Sequence, residues 1–406
     1  MPRVLPRSVS TALVLALVGT LLGAAPAGAG PTPGPAPTAG PQLEPNPDRV
    51  GLRSVGGGLA ERRVPVPVSS GVSTWRTDRF TMLAATWQGR RSPHLEVQVR
   101  GRDGWQAWQH LDESEHGPTT TGSTGRRGSE LVWVGEARQV RVRSDAASAA
   151  DVQLVLVDTT SDPQPEPEPT PEPTSEPAPA PEPTPTPEPT ATPTDDASPA
   201  PEAAPRRHAP RPRIRGRKAW GAKERWRSGE PVTRRFTKQV HVHHTASSSS
   251  YRRTDVPGII RGFYRYHTKT LGWSDIGYNV LVDRFGRAWL GRKGGPMVQG
   301  AHTLGFNHNS VGLAVIGDHR RTKPRRKVVR TLVKVAAWHL DRDGRRAKGQ
   351  VKVTSHGSDR YARGEKVRLP IISGHRRTNH TACPGAQLRK RLPQIRRQTQ
   401  RRVNRF

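Results

Sequence analysis

The chain has 406 residues, with 66 Lys/Arg against 34 Asp/Glu, a net charge of +32 and a single cysteine, Cys383. One cysteine excludes an internal disulfide. The charge is lopsided: residues 205–406 carry 49 Lys/Arg and 10 Asp/Glu, a net of +39, while the rest of the chain carries −7. Such a field draws the carboxyl half toward polyanions, although part of it is simply a solvated surface.

In chain order, Arg3 and Arg7 precede the apolar run "TALVLALVGTLLGAA", and a small-residue "AGA" ends at Ala29. This is the layout of a secretory signal peptide over residues 1–29. The run is shorter than the ~20 residues of a spanning helix, which leaves a retained anchor as the alternative. Cleavage releases the mature protein outside the cell or into the cell wall, with no membrane attachment afterwards. For such a protein nucleic acid is not an expected partner, whereas anionic wall polymers are, through the basic carboxyl half.

Residues 30–49 form a linker rich in Pro, Gly and Ala. Residues 50–158 read as all-β: "HLEVQVRG" and "RQVRVRS" alternate apolar and polar, "DVQLVLVD" closes the region, and Gly- and Ser-rich turns separate the runs. A two-sheet sandwich is expected, with Trp75, Trp87, Trp105, Trp108 and Trp133 supplying a core; a sugar-stacking platform is the competing role for them. No acid pair or metal cluster stands out there. Residues 159–211 are a Pro-rich linker, "PEPEPTPEPTSEPAPAPEPTPTPEPT" at its heart. Such a tract buries no apolar surface and favours extended polyproline II.

Residues 212–406 mix both periods. "KQVHVHHTA", "GYNVLVD", "AWLGR" and "SVGLAVIGD" read as strands. Thr254 or Asp255 is placed to cap a helix with Pro257 in its first turn, and Ile259, Phe263 and Tyr266 share one face. A second helix follows Pro324, with Val329, Val333, Ala336 and Leu340 aligned, and a last one, broken or kinked at Pro393, runs through "AQLRKRLPQIRR". Interleaved strands and helices predict an α/β domain with a central sheet flanked by helices.

Cys383 lies eight residues after His375, in "SGHRRTNHTACPG". The thiol can pair with another molecule, stay buried and inert, or bind metal. A catalytic zinc takes three protein ligands and keeps one position open. In "VHVHHTA", alternation sends His241 and His243 to one face and His244 to the other.

"VHHTA", "GWSDIGYNVLVD", "GAHTLGFNHNSVGLAVIGD" and "SGHRRTNHTACPG", in this order, resemble the zinc-dependent N-acetylmuramoyl-L-alanine amidases of the type 2 family. That family includes phage T7 lysozyme and the peptidoglycan recognition proteins. The resemblance covers roughly residues 215–395 and implies a mixed sheet flanked by helices, one Zn2+ per chain, and peptidoglycan as partner. It implies His243, His375 and Cys383 as metal ligands, Tyr278 as the active-site tyrosine, and Thr381 at the position two before the cysteine. That position is lysine in the phage enzyme and a small hydroxyl residue in catalytic recognition proteins. His267, Trp273, His302 and Asn307 match residues along the substrate groove, with packing or turn formation as their alternative roles. One departure is Arg377, where the family often has aspartate in "HRD". The implied activity is hydrolysis of the lactyl amide of peptidoglycan. A receptor that grips the stem peptide without cutting it is the alternative, and such members usually lack the cysteine.

Overall fold

A computed structural model describes residues 49–67, 71–89, 91–114, 124–144, 150–160 and 208–406. The expected signal peptide (1–29) and nearly all of both linkers (30–49 and 159–211) lie outside the described residues. Among the described residues no helix is long and apolar enough to cross a membrane.

The amino-terminal region is all-β. Its strands are β1 (Arg53–Gly56), β2 (Leu59–Pro65), β3 (Val72–Gln88), β4 (Leu95–Gly101), β5 (Gly104–Trp105), β6 (Gln109–His110), β7 (Arg127–Gly128), β8 (Val132–Ser144) and β9 (Ala150–Asp158). Seven of them form one hydrogen-bonded path, β1-β2-β9-β3-β8-β4-β5, with β6 paired to β4 and β7 to β3, rather than two separate sheets. The long strand β3 is the reason. Its residues 72–83 pair with β8 and its residues 82–88 with β9, with register shifts between Arg76 and Met82.

Alternation divides the apolar side chains of these strands between two cores. Leu83, Ala85, Trp87, Val132, Leu154 and Leu156 point into the region's own core. Met82, Ala84, Trp133, Val155 and Val157 point the other way, into a core shared with the carboxyl-terminal domain. Strands buried on both faces read as continuous apolar runs, which is why "TMLAATW" and "LVLV" do not alternate. Of the five tryptophans, Trp75 and Trp87 pack in the private core and Trp133 in the shared one. Trp105 and Trp108 are only half-buried, beneath the guanidinium groups of Arg141 and Arg143.

The carboxyl-terminal domain is mixed α/β. Its elements are β10 (Ile214–Arg215), β11 (Gln239–His244), α1 (Val256–Arg265), β12 (Val280–Val282), β13 (Ala288–Leu290), β14 (Ser310–Val315), α2 (Arg326–Asp341), β15 (Gln350–Thr354), β16 (Lys366–Pro370), β17 (Ile372–Gly374), α3 (Ala386–Arg389) and α4 (Leu392–Val403). Six strands form the sheet β10-β13-β12-β14-β11-β17, in which only the β12–β13 pair is antiparallel; β15 and β16 form a separate hairpin. One face, with Val240, Val242, Val311 and Leu313, packs against α2 and α4. The other carries α1, whose Ile259, Ile260 and Phe263 also meet the shared core.

Asp255 sits at the start of α1, but its carboxylate accepts from the Arg252 N–H (2.7 Å) instead of capping the helix. The last helix breaks before Pro393, which falls in the first turn of α4. A missing N–H costs nothing there.

Candidate metal centre

The sheet positions the candidate ligands. β11 and β17 are parallel neighbours. His243 comes from the end of β11, on the face opposite Val240 and Val242, and His375 follows directly after β17. Cys383 returns on the loop beyond. One donor atom from each of these three buried residues lies within 4.8 Å of the other two. The Cys383 sulfur is 3.7 Å from His243 Nδ1, and the His243 and His375 rings are 4.8 Å apart.

Surrounding groups fix this geometry. His243 Nε2 shares a 3.1 Å hydrogen bond with His302 Nδ1, which leaves Nδ1 facing the sulfur. The His302 ring occupies a slot where a Cβ on Gly300 or Gly312 would collide with it; glycine at both positions is what lets the second imidazole reach the first. The backbone N–H of His244 donates to Cys383 Sγ at 3.4 Å, which suits a thiolate. The His244 side chain faces elsewhere: its Nδ1 accepts from the His319 N–H (3.1 Å) and lies 3.6 Å from Asp318. His241 is buried on the His243 side against Ser373, and burial pushes its pKa down to about 3, so it stays neutral.

The ligand loop is tied down without the familial aspartate. Arg377 is exposed. Thr378 donates its hydroxyl to the His375 carbonyl at 2.8 Å, while Asp359 accepts from Asn379 Nδ2 (3.0 Å) and the His380 N–H (2.7 Å). Thr381 Oγ1 accepts from the Cys383 N–H at 3.1 Å.

Tyr278 is buried with its ring 5.9 Å from that of His243. Burial first, then the neighbouring Glu130 and Cys383, holds its hydroxyl well above the usual tyrosine pKa. Of the residues expected along a groove, His267 stacks on Trp273 (4.4 Å), accepts from the Gly277 N–H (3.2 Å) and is buried. His302 is fully buried and shares its hydrogen bond with His243. Asn307 builds a turn, its side-chain oxygen accepting from the N–H groups of His302 (2.8 Å) and Thr303 (3.0 Å).

Sequence patterning hardly marks the acidic wall of the site. Asp112, Glu113 and Glu130, all from the β region, line the same small cavity as His375, Thr381 and Cys383. Glu130 and Tyr278 are electrostatic neighbours in the site: burial above all pushes the Glu130 carboxyl up to about 8, and Glu130 in turn helps hold the Tyr278 hydroxyl well above the tyrosine range. The only local hint is a glutamate at the head of the apolar run "ELVWV".

Two family models match the chain. Residues 45–186 match "Rv3811 N-terminal galactose-binding domain-like" and residues 233–386 match "N-acetylmuramoyl-L-alanine amidase". Fold and matches together define the class: an amidase-type α/β domain preceded by a galactose-binding-like β domain. Peptidoglycan-recognition protein SC2 of Drosophila simulans is 31% identical over 147 residues, which is 36% of this chain and 67% of that protein. The N-acetylmuramoyl-L-alanine amidase of Homo sapiens is 33% identical over 123 residues, 30% of this chain and 21% of that protein. Among solved structures, Drosophila PGRP-LB aligns with a TM-score of 0.35 at 25% identity, covering 44% of this chain and 92% of that one. The chain belongs to the family of peptidoglycan recognition proteins and N-acetylmuramoyl-L-alanine amidases.

Proposed function

We propose that the chain is an exported, zinc-dependent amidase that hydrolyses the bond between the lactyl group of N-acetylmuramic acid and L-alanine of the peptidoglycan stem. The observation that carries this reading is the convergence of His243, His375 and Cys383 within 4.8 Å, buried beside Tyr278. Two imidazoles and a thiol are a donor set that zinc accepts in catalytic sites. Zinc held there supplies Lewis-acid chemistry, acidifying water and polarising a carbonyl.

The chain's own groups do the rest. His302 orients the His243 ring, and the His244 N–H favours the thiolate form of Cys383. Because Tyr278 keeps its proton at neutral pH, its role is to donate to an oxygen that gains negative charge. Thr381 holds the ligand loop through the Cys383 N–H and retains its own hydroxyl proton for donation.

Replacing Cys383→Ser is expected to take zinc content from one per chain to well below it and to reduce stem-peptide release from purified wall to background. Full release by that variant, or by chelator-stripped protein, contradicts the reading. A receptor that binds without cutting has no need of the thiol.

Export is the reading of residues 1–29. A groove of about 690 Å3 between α2 and α4, lined by Arg326, Arg330, Lys334, Arg391, Arg401 and Arg402, supports docking of anionic wall polymers. Retention on purified wall is then expected to collapse between about 0.05 and 0.5 M salt, as exposed charges are screened; retention indifferent to salt rejects it.

A further inference from the structure

Among the described residues, the cavity that borders the candidate ligands His375 and Cys383 is almost filled. It measures about 20 Å3, room for roughly one water molecule. A disaccharide-peptide does not fit. Much of its wall (Asp112, Glu113 and Glu130) belongs to the β region.

We propose that the β region is an intramolecular lid on the catalytic cleft, with Glu130 seated against Tyr278 in the place of the substrate's carbonyl. The docked chain is therefore latent, and peptidoglycan reaches the ligands only when the β region lifts. The proposal rests on reading the cleft as a peptidoglycan site.

The docking is built, not incidental. An apolar patch of the β region, with Leu59, Met82, Ala84, Trp133, Val155 and Val157, is covered by the α/β domain through α1. Backbones approach closely: a Cβ on Gly258 would lie 2.8 Å from the Thr159 carbonyl oxygen, and one on Gly262 would lie 2.5 Å from the Met82 sulfur. Polar contacts ring this patch. Tyr266 donates its hydroxyl to the Ser129 carbonyl (2.8 Å), next to Glu130 itself, and Trp133 Nε1 donates to the Ser250 carbonyl (3.1 Å). Ion pairs join Arg265 to Glu61 (2.8 Å) and Arg320 to Asp112 (2.9 Å). His267 and Trp273, which the family resemblance sets along a groove, are buried in this arrangement. A ligand that needs the open form binds with an affinity reduced by the fraction of chains that are open.

The test uses the full chain, locked and opened. A Cβ on Gly258 lies 3.1 Å from that of Thr159 but also 2.8 Å from its carbonyl oxygen. The two backbones must therefore move apart by a few tenths of an ångström for the pair to take disulfide geometry. The oxidised and reduced forms of the same variant are compared so that this shift is common to both. The double variant Thr159→Cys/Gly258→Cys is compared oxidised and after reduction with a phosphine. Met82→Arg/Val157→Arg puts charge on the docking face, and Glu130→Ala removes the plug. Each is measured twice: calorimetric binding of a soluble disaccharide-tetrapeptide to the metal-free protein, and stem-peptide release by the zinc-loaded protein.

The oxidised lock is expected to bind and release at least tenfold less than its reduced form, and both other variants at least tenfold more than the unmodified chain. If Met82→Arg/Val157→Arg does not fold, the lock and Glu130→Ala decide. Equal binding by oxidised and reduced lock overturns the lid. So does loss of release in Glu130→Ala with normal binding, which would make Glu130 a catalytic residue. Binding that follows the lock, with no release by any variant, keeps the lid and removes the amidase.

Discussion

Behind the cavity, the imidazoles of His243 and His302 share a hydrogen bond in a slot walled by two glycines. A partner of this kind sets ring orientation and ligand basicity, and its loss typically costs 10–100-fold in metal affinity. His302→Leu is therefore expected to weaken zinc binding by about that factor in competition with a chromophoric chelator, with stem-peptide release recovering at saturating zinc. Unchanged affinity would show that the His302 ring merely fills space. The three ligand candidates are legible in the sequence because their spacing and neighbours repeat a family pattern. The role of His302 is not, since the bond between residues 243 and 302 exists only once β11 and the 302 loop are folded together. Glu130 is less legible still: it reaches Tyr278 from a different domain, 148 positions away in the chain.

At the scale of elements, periodicity reveals much of the architecture. β11 sends Val240 and Val242 toward α2 and α4, and His241 and His243 to the opposite face, as alternation demands. In α1, Ile259 and Phe263 are buried, and Tyr266, just past its end, is buried with them. The β region shows where periodicity stops. Its alternating runs suggest strands covering a single core, yet the continuous apolar stretches of β3, β8 and β9 serve two, and the second is completed by α1. A sequence can report that both faces of a strand are buried, but not by what. Asp255 is likewise legible as a helix start and illegible as a partner of Arg252, because the competing donor lies just outside the helix.

Over the whole molecule, the described β and α/β regions fall in one compact unit, Asn46–Phe406. The basic groove lies on the α2–α4 side of the +39 carboxyl half, while the acidic residues Asp112, Glu113 and Glu130 reach the candidate site from the β region. In the proposed scheme, the first brings the enzyme to the wall and the second keeps it latent. Whether the lactyl amide is the bond that is cut is decided by mass analysis of the soluble products released from purified peptidoglycan. It should be run with the zinc-loaded chain and with its Met82→Arg/Val157→Arg form. Free stem peptides beginning with an unblocked L-alanine are expected, together with glycan that keeps its lactyl carboxylate. Products in which muramic acid is still joined to L-alanine, cut instead within the glycan or the stem, would contradict the amidase.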